Sequence, residues 1–100
     1  MQFFLKILSA PKKEMVGIKV PLVEGKNLLG RLNPPCTIQL EGAKVSKKHC
    51  TFHVAGEKLS VEDHNSSNGV FVNGKKTTNL VIKDRDRLVI GEYTLEITVK

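Results

Sequence analysis

Asn65-Ser66-Ser67-Asn68-Gly69-Val70-Phe71-Val72-Asn73-Gly74 places two Asn-Gly pairs around a short apolar run. Both residues of such a pair tolerate positive φ, which makes Asn-Gly the strongest short turn signal in a sequence. Turns this close together leave room for one short strand, Val70-Phe71-Val72, with a tight loop at each end. Ser67 and Asn68 are then held at a loop rim beside rigid sheet, and polar groups fixed in that way make a reading surface.

Outward from this stretch the chain alternates. Cys50, Phe52 and Val54 point one way and Thr51 and His53 the other; Ala55-Gly56-Glu57-Lys58 turns, and Leu59 and Val61 resume the pattern as a hairpin. Downstream, Leu80-Val81-Ile82 and Leu88-Val89-Ile90 flank the charged turn Lys83-Asp84-Arg85-Asp86-Arg87. Tyr93, Leu95, Ile97 and Val99 then face inward with Thr94, Glu96 and Thr98 outward, as in an edge or half-exposed strand. Upstream, Phe3, Leu5 and Ile7 recur at period two, as do Val16, Ile18 and Val20, with Pro11-Lys12-Lys13-Glu14 as an exposed loop between them. Pro21 closes the second run because proline cannot donate to a ladder. Lys26 to Arg31 reads as a strand reaching a loop at Gly30-Arg31, and Asn33-Pro34-Pro35 excludes helix beyond it. Ile38 and Leu40 alternate with Thr37 and Gln39, and a long polar connection, Glu41 to His49, follows. About ten short strands with frequent turn signals and no clean helical window predict an all-β fold, a β-sandwich.

One hundred residues suit one domain, 1–100, with a single core and a modest surface site rather than a deep catalytic cleft. Hydrophobic residues at 40% and charged residues at 26% are ordinary for a folded domain and argue against disorder. Lys and Arg outnumber Asp and Glu by 16 to 10, and the resulting +6 favours an anionic partner: nucleic acid, phosphopeptide or acidic membrane. Cys36 and Cys50 lack CxxC spacing and read as free thiols of a reducing compartment. Phe3 to Leu8 is too short, and too interrupted by Lys6, for a signal peptide, and no run reaches the roughly 18 apolar residues of a membrane span.

Gly30-Arg31, then Ser46-Lys47-Lys48-His49, then Ser67-Asn68-Gly69-Val70-Phe71-Val72-Asn73-Gly74, and finally a charged turn leading into Ile90-Gly91, together resemble the forkhead-associated (FHA) domain. Each motif alone is common; their order and spacing are specific. The likeness runs from about Leu28 to Val99, with the first two strands fitting by pattern only. It implies a sandwich of two antiparallel sheets and about eleven strands, whose loops at one end bind phosphothreonine in an extended peptide, without catalysis and without a cofactor. Carried over by position, Arg31 and Ser46 match the principal phosphate ligands, Lys47 a further donor, Ser67 a hydroxyl contact and Asn68 the amide that holds the peptide main chain. His49 matches a residue that braces the loop from inside, and Gly30, Gly69, Asn73 and Gly74 are expected to support the site structurally. Lys44 stands where the family reads a side chain beyond the phosphothreonine, which leads to an expected acidic preference there. Two positions depart from the pattern: Arg85 replaces a glycine in the late turn, and Val70 replaces a threonine while keeping β-branching.

The residue chemistry suits that role. A phosphate near neutral pH carries roughly −1.5 to −2 charges and three strong acceptor oxygens. Arg31 offers a planar fork, Lys47 a point charge, and Ser46 and Ser67 short hydroxyl donors. Charge-assisted bonds contribute about 1.5–3 kcal/mol each, so loss of the fork is expected to weaken binding by about one to two decades. Asn68 can donate to one peptide carbonyl and accept from one amide.

Other chemistries fit less well. His49, Cys50, His53, His64 and Cys36 are zinc-ligand types at unsuitable spacing, so no metal is expected and Cys50 reads as core. Ser9-Ala10-Pro11-Lys12 matches a serine–lysine nucleophile only by letter, and Ser46-x-x-His49 lacks a third group and an oxyanion hole, so no enzyme is expected. The reading is a phosphothreonine-dependent module that recruits targets of an upstream Ser/Thr kinase, cytoplasmic, or nuclear in a eukaryote, with no membrane partner. Its rivals are a phosphate-independent interaction domain of the same fold and, less well supported, a basic nucleic-acid binder. The latter lacks a stacking platform, since the five aromatic residues fall mostly in core-patterned strands. A stand-alone adaptor and the N-terminal module of a longer protein both fit.

Overall fold

In the computed structural model, which describes residues 1–100, the strands nearest the two chain ends pair with each other. Strand β1 (Phe3–Ser9) pairs antiparallel with β11 (Tyr93–Val99), setting Phe3, Leu5 and Ile7 opposite Val99, Ile97 and Leu95. All of these except Val99 are buried, so the alternation that marks both strands in the sequence is the core-facing row of one sheet. That sheet has six strands in the order β2-β1-β11-β10-β7-β8, adding β2 (Lys19–Pro21), β10 (Arg87–Ile90), β7 (Val70–Val72) and β8 (Lys75–Thr77). The second has five in the order β4-β3-β5-β6-β9, built from β4 (Ile38–Gln39), β3 (Gly25–Gly30), β5 (Cys50–Ala55), β6 (Lys58–Asp63) and β9 (Asn79–Ile82). Phe52, Leu59 and Val61 of one sheet and Leu88, Ile90, Tyr93 and Leu95 of the other belong to a single buried core between them.

Eleven strands in a two-sheet sandwich are the architecture expected from the sequence, with three local differences. The strand expected through Val16, Ile18 and Val20 is shorter. Lys13–Met15 is a 3-10 turn, Gly17 takes φ +93, and Gly17 N–H and the Ile18 carbonyl both bond to Ile7, so regular pairing starts only at Lys19. Val16 and Ile18 are exposed as a result. β11 is not an edge strand: it lies between β1 and β10, and its outward row is half-buried because the sheet face beneath it meets solvent. The pair β3·β4 is parallel, the one exception to antiparallel pairing.

The two Asn-Gly pairs fold differently. Asn73 and Gly74 have φ +49 and +86 and form the two-residue turn between β7 and β8, as expected. At Asn68-Gly69 only the glycine is left-handed, and the Ser66 hydroxyl accepts the Gly69 N–H at 3.0 Å, so this pair ends an irregular loop rather than making a hairpin. Arg85 is also left-handed, at φ +74, where the resemblance places a glycine.

Candidate functional site

Arg31 is the first residue beyond β3. Its backbone N–H donates to the Ser46 carbonyl (3.0 Å) and its Nε to the Val45 carbonyl (3.0 Å), which pins the guanidinium against the β4–β5 loop. Neither terminal guanidinium nitrogen has an intramolecular partner, so a two-pronged face is left to an incoming anion. Gly30 makes this approach possible, since a Cβ there would overlap the Lys47 carbonyl oxygen and lie 2.8 Å from Cys36 Sγ.

His49 is fully buried and joins two loops. Ser46 N–H donates to its Nδ1 (3.0 Å), which makes Nδ1 the acceptor and puts the proton on Nε2, 2.8 Å from the Gly69 carbonyl it donates to. The ring therefore links the loop carrying Ser46 to the loop carrying Ser67 and Asn68. A second link runs at the surface, where Ser67 N–H donates to Ser46 Oγ at 3.1 Å. Asn68 Nδ2 donates to the Lys44 carbonyl at 3.2 Å, leaving the Asn68 carbonyl oxygen and its other N–H for a ligand.

Arg31, Ser46, Lys47, Ser67, Asn68 and Lys44 all line one shallow cleft of about 330 Å³, together with Ala43 and Val45. Three cationic side chains border it and no carboxylate does. Asn73 and Gly74 lie elsewhere, at the far end of β7, where Asn73 Nδ2 donates to Asp86 and Asn73 Oδ1 accepts the Arg87 N–H (3.0 Å each). Neither residue lines the cleft.

Several contributors escaped the sequence reading. Ser66 donates to the Asp63 carboxylate while capping Gly69, which shapes the Ser67-Asn68 rim. Glu92 accepts the Lys44 N–H with both carboxylate oxygens (3.2 and 3.3 Å), and Gly91 lets the loop pass where a Cβ would stand 2.7 Å from Val45 Cγ2. The Val45 carbonyl that orients Arg31 leaves no trace in residue types, whereas the Ile90-Gly91 motif was a usable signal for the close approach.

The FHA domain profile matches residues 27–91, from β3 to the turn after β10. The chain belongs to the FHA domain family. The glycogen accumulation regulator GarA of Mycolicibacterium smegmatis is 32% identical over 63 residues, 63% of this chain and 40% of that protein. This chain thus spans well under half of that regulator's length. The FHA domain of the CT664 protein from Chlamydia trachomatis superposes with a TM-score of 0.89 at 22% identity, over 100% of this chain and 99% of that one. EmbR of Mycobacterium tuberculosis, solved in complex with a low-affinity phosphopeptide, superposes with a TM-score of 0.87 at 24% identity, over 99% of this chain and 24% of that one. Both structural likenesses extend beyond the profile to β1, β2 and β11, which complete the six-stranded sheet of the FHA fold.

Proposed function

We propose that this FHA domain is a phosphothreonine-dependent peptide-binding module that recruits proteins phosphorylated by a Ser/Thr kinase. The observation that carries the reading is the cleft itself, in which Arg31 with its free fork, Ser46, Ser67 and Lys47 line one space. In this reading Arg31 takes two phosphate oxygens, Ser46 and Ser67 donate to the phosphate, Lys47 adds charge, and Asn68 fixes the main chain of an extended peptide. Phosphate provides the energy and Asn68 the register. Lys44, with no acidic partner for its ammonium, favours Asp or Glu in the peptide beyond the phosphothreonine.

A peptide library made twice, once with phosphothreonine and once with plain threonine, tests the proposal. Retention of phosphorylated members alone, enriched in acidic residues at one fixed offset, is the expected result. Equal retention of both sets would replace it with phosphate-independent binding, and indifference to flanking acids would remove Lys44 from the site.

A further inference from the structure

Four strands form the edges of the two sheets: β2 and β8 in one, β4 and β9 in the other. Free strand edges pair with other chains unless something blocks them. β2 holds Lys19 and ends on Pro21, β4 has only two residues, and β8 carries Lys75 and Lys76. β9, Asn79-Leu80-Val81-Ile82, contains no charge and no proline, and its one partner is β6. It is the undefended edge.

Pairing with β6 sets Leu80 opposite Val61 and Ile82 opposite Leu59, on the core-facing side of the sheet. Ile82, Val61 and Leu59 are buried, yet Leu80 is 41% exposed, so the layer between the sheets is open at this point. Across the opening, the pairing of Lys75 with Val72 and Thr77 with Val70 turns Lys75 and Thr77 toward the same layer. The resulting groove, about 440 Å³, has Val72 and Leu80 among its apolar lining and Lys75, Lys76 and Lys83 as its cations. Its one carboxylate, Asp86, is already engaged, by Asn73 Nδ2 at 3.0 Å and by the Lys83 N–H at 2.9 Å. All three ammonium groups lack an ion-pair partner.

We propose that this groove is a second protein-docking site, which takes an extended segment of alternating apolar and acidic residues as an added strand on β9. Main-chain pairing satisfies the free edge. Every second side chain of such a strand turns into the layer beside Leu80, where apolar groups are favoured, and the acids between them lie along a rim that the long flexible stems of Lys75, Lys76 and Lys83 reach. A second copy of this chain is the poorer occupant, because β9 against β9 would bring two lysine rims together on molecules of net charge +6. The groove shares no lining residue with the phosphate cleft, so the two are separate places on the surface.

Heteronuclear NMR of the isotope-labelled domain, titrated with the unphosphorylated peptide acetyl-Glu-Val-Asp-Leu-Glu-Ile-Asp-amide, tests this. Saturable shifts of the Asn79–Ile82 and Lys75–Thr77 amides are expected, unchanged in Arg31→Ala and weakened about tenfold or more in the double variant Lys75→Glu/Lys83→Glu, whose exposed positions leave the fold intact. A control peptide with Lys in place of each acid is expected not to bind. Absence of saturable shifts, shifts centred on Arg31 and Ser67, or an equal response to the Lys peptide would overturn the proposal. Concentration-dependent shifts of β9 without peptide would also overturn it, in favour of self-association.

Discussion

The Ser67 N–H donates to the Ser46 hydroxyl oxygen at 3.1 Å, across 21 residues of sequence. Because that oxygen is accepting, the Ser46 hydroxyl proton is free to point into the cleft, and the incoming N–H polarises it as a donor. Ser46→Ala therefore removes the proposed phosphate donor and releases the Ser67 rim together. About a tenfold loss of phosphopeptide affinity is expected by calorimetry, with faster amide exchange at Ser67. Unchanged exchange at Ser67 would show that the link does not hold the rim.

His49→Ala is a stability variant before it is a binding variant. The side chain is fully buried, and its removal leaves a cavity and orphans both the Ser46 N–H and the Gly69 carbonyl. A loss of about 3 kcal/mol or more is expected from urea denaturation, a large share of the stability of a domain this size. A loss under about 1 kcal/mol would mean that the two loops hold together without the ring.

Arg85 sits at φ +74, a conformation that costs a side-chain-bearing residue about 1–2 kcal/mol and glycine almost nothing. Arg85→Gly is expected to stabilise the domain by about 0.5–1 kcal/mol after the added freedom of glycine in the unfolded chain is counted. The thermal midpoint reports it, and a fall would show that the arginine makes an offsetting contribution.

Burial pushes the Cys50 thiol well above its ordinary value of 9.0, with Asp63 adding to the effect. The folded protein therefore keeps this proton at pH values where the unfolded chain has lost it. Stability from this group is complete below pH 9.0 and declines as pH rises above it, because the unfolded state binds fewer protons there. Urea midpoints measured across that range are expected to fall, and to fall less steeply in Cys50→Ala. Identical slopes would assign the alkaline loss to other groups, of which Cys36 and Tyr93 are also shifted upward by burial.

Side-chain periodicity made most of the sandwich readable, because burial on one face leaves a period-two signature in β1, β5, β6 and β11. It failed at Val16 and Ile18, where Gly17 breaks a pattern that the letters alone continue. The two Asn-Gly pairs carry the same letters and different turns, since the local Ser66 cap and the tertiary His49 brace decide the first. Arg31, Ser46, Lys47, Ser67 and Asn68 were expected from the sequence to gather at one place, and one cleft brings them together. What orients them was not: the Val45 carbonyl, the Glu92 carboxylate and the Ser67 N–H act by position, which residue type does not encode.

The proposed phosphate grip is tested most directly by calorimetric titration of the wild-type domain and Arg31→Ala with one phosphothreonine peptide and its unmodified twin. The account expects tight binding of the phosphorylated form alone, weakened about ten- to a hundredfold when the fork is removed. Equal affinity of the wild-type domain for both peptides, or full retention of binding by Arg31→Ala, would contradict it.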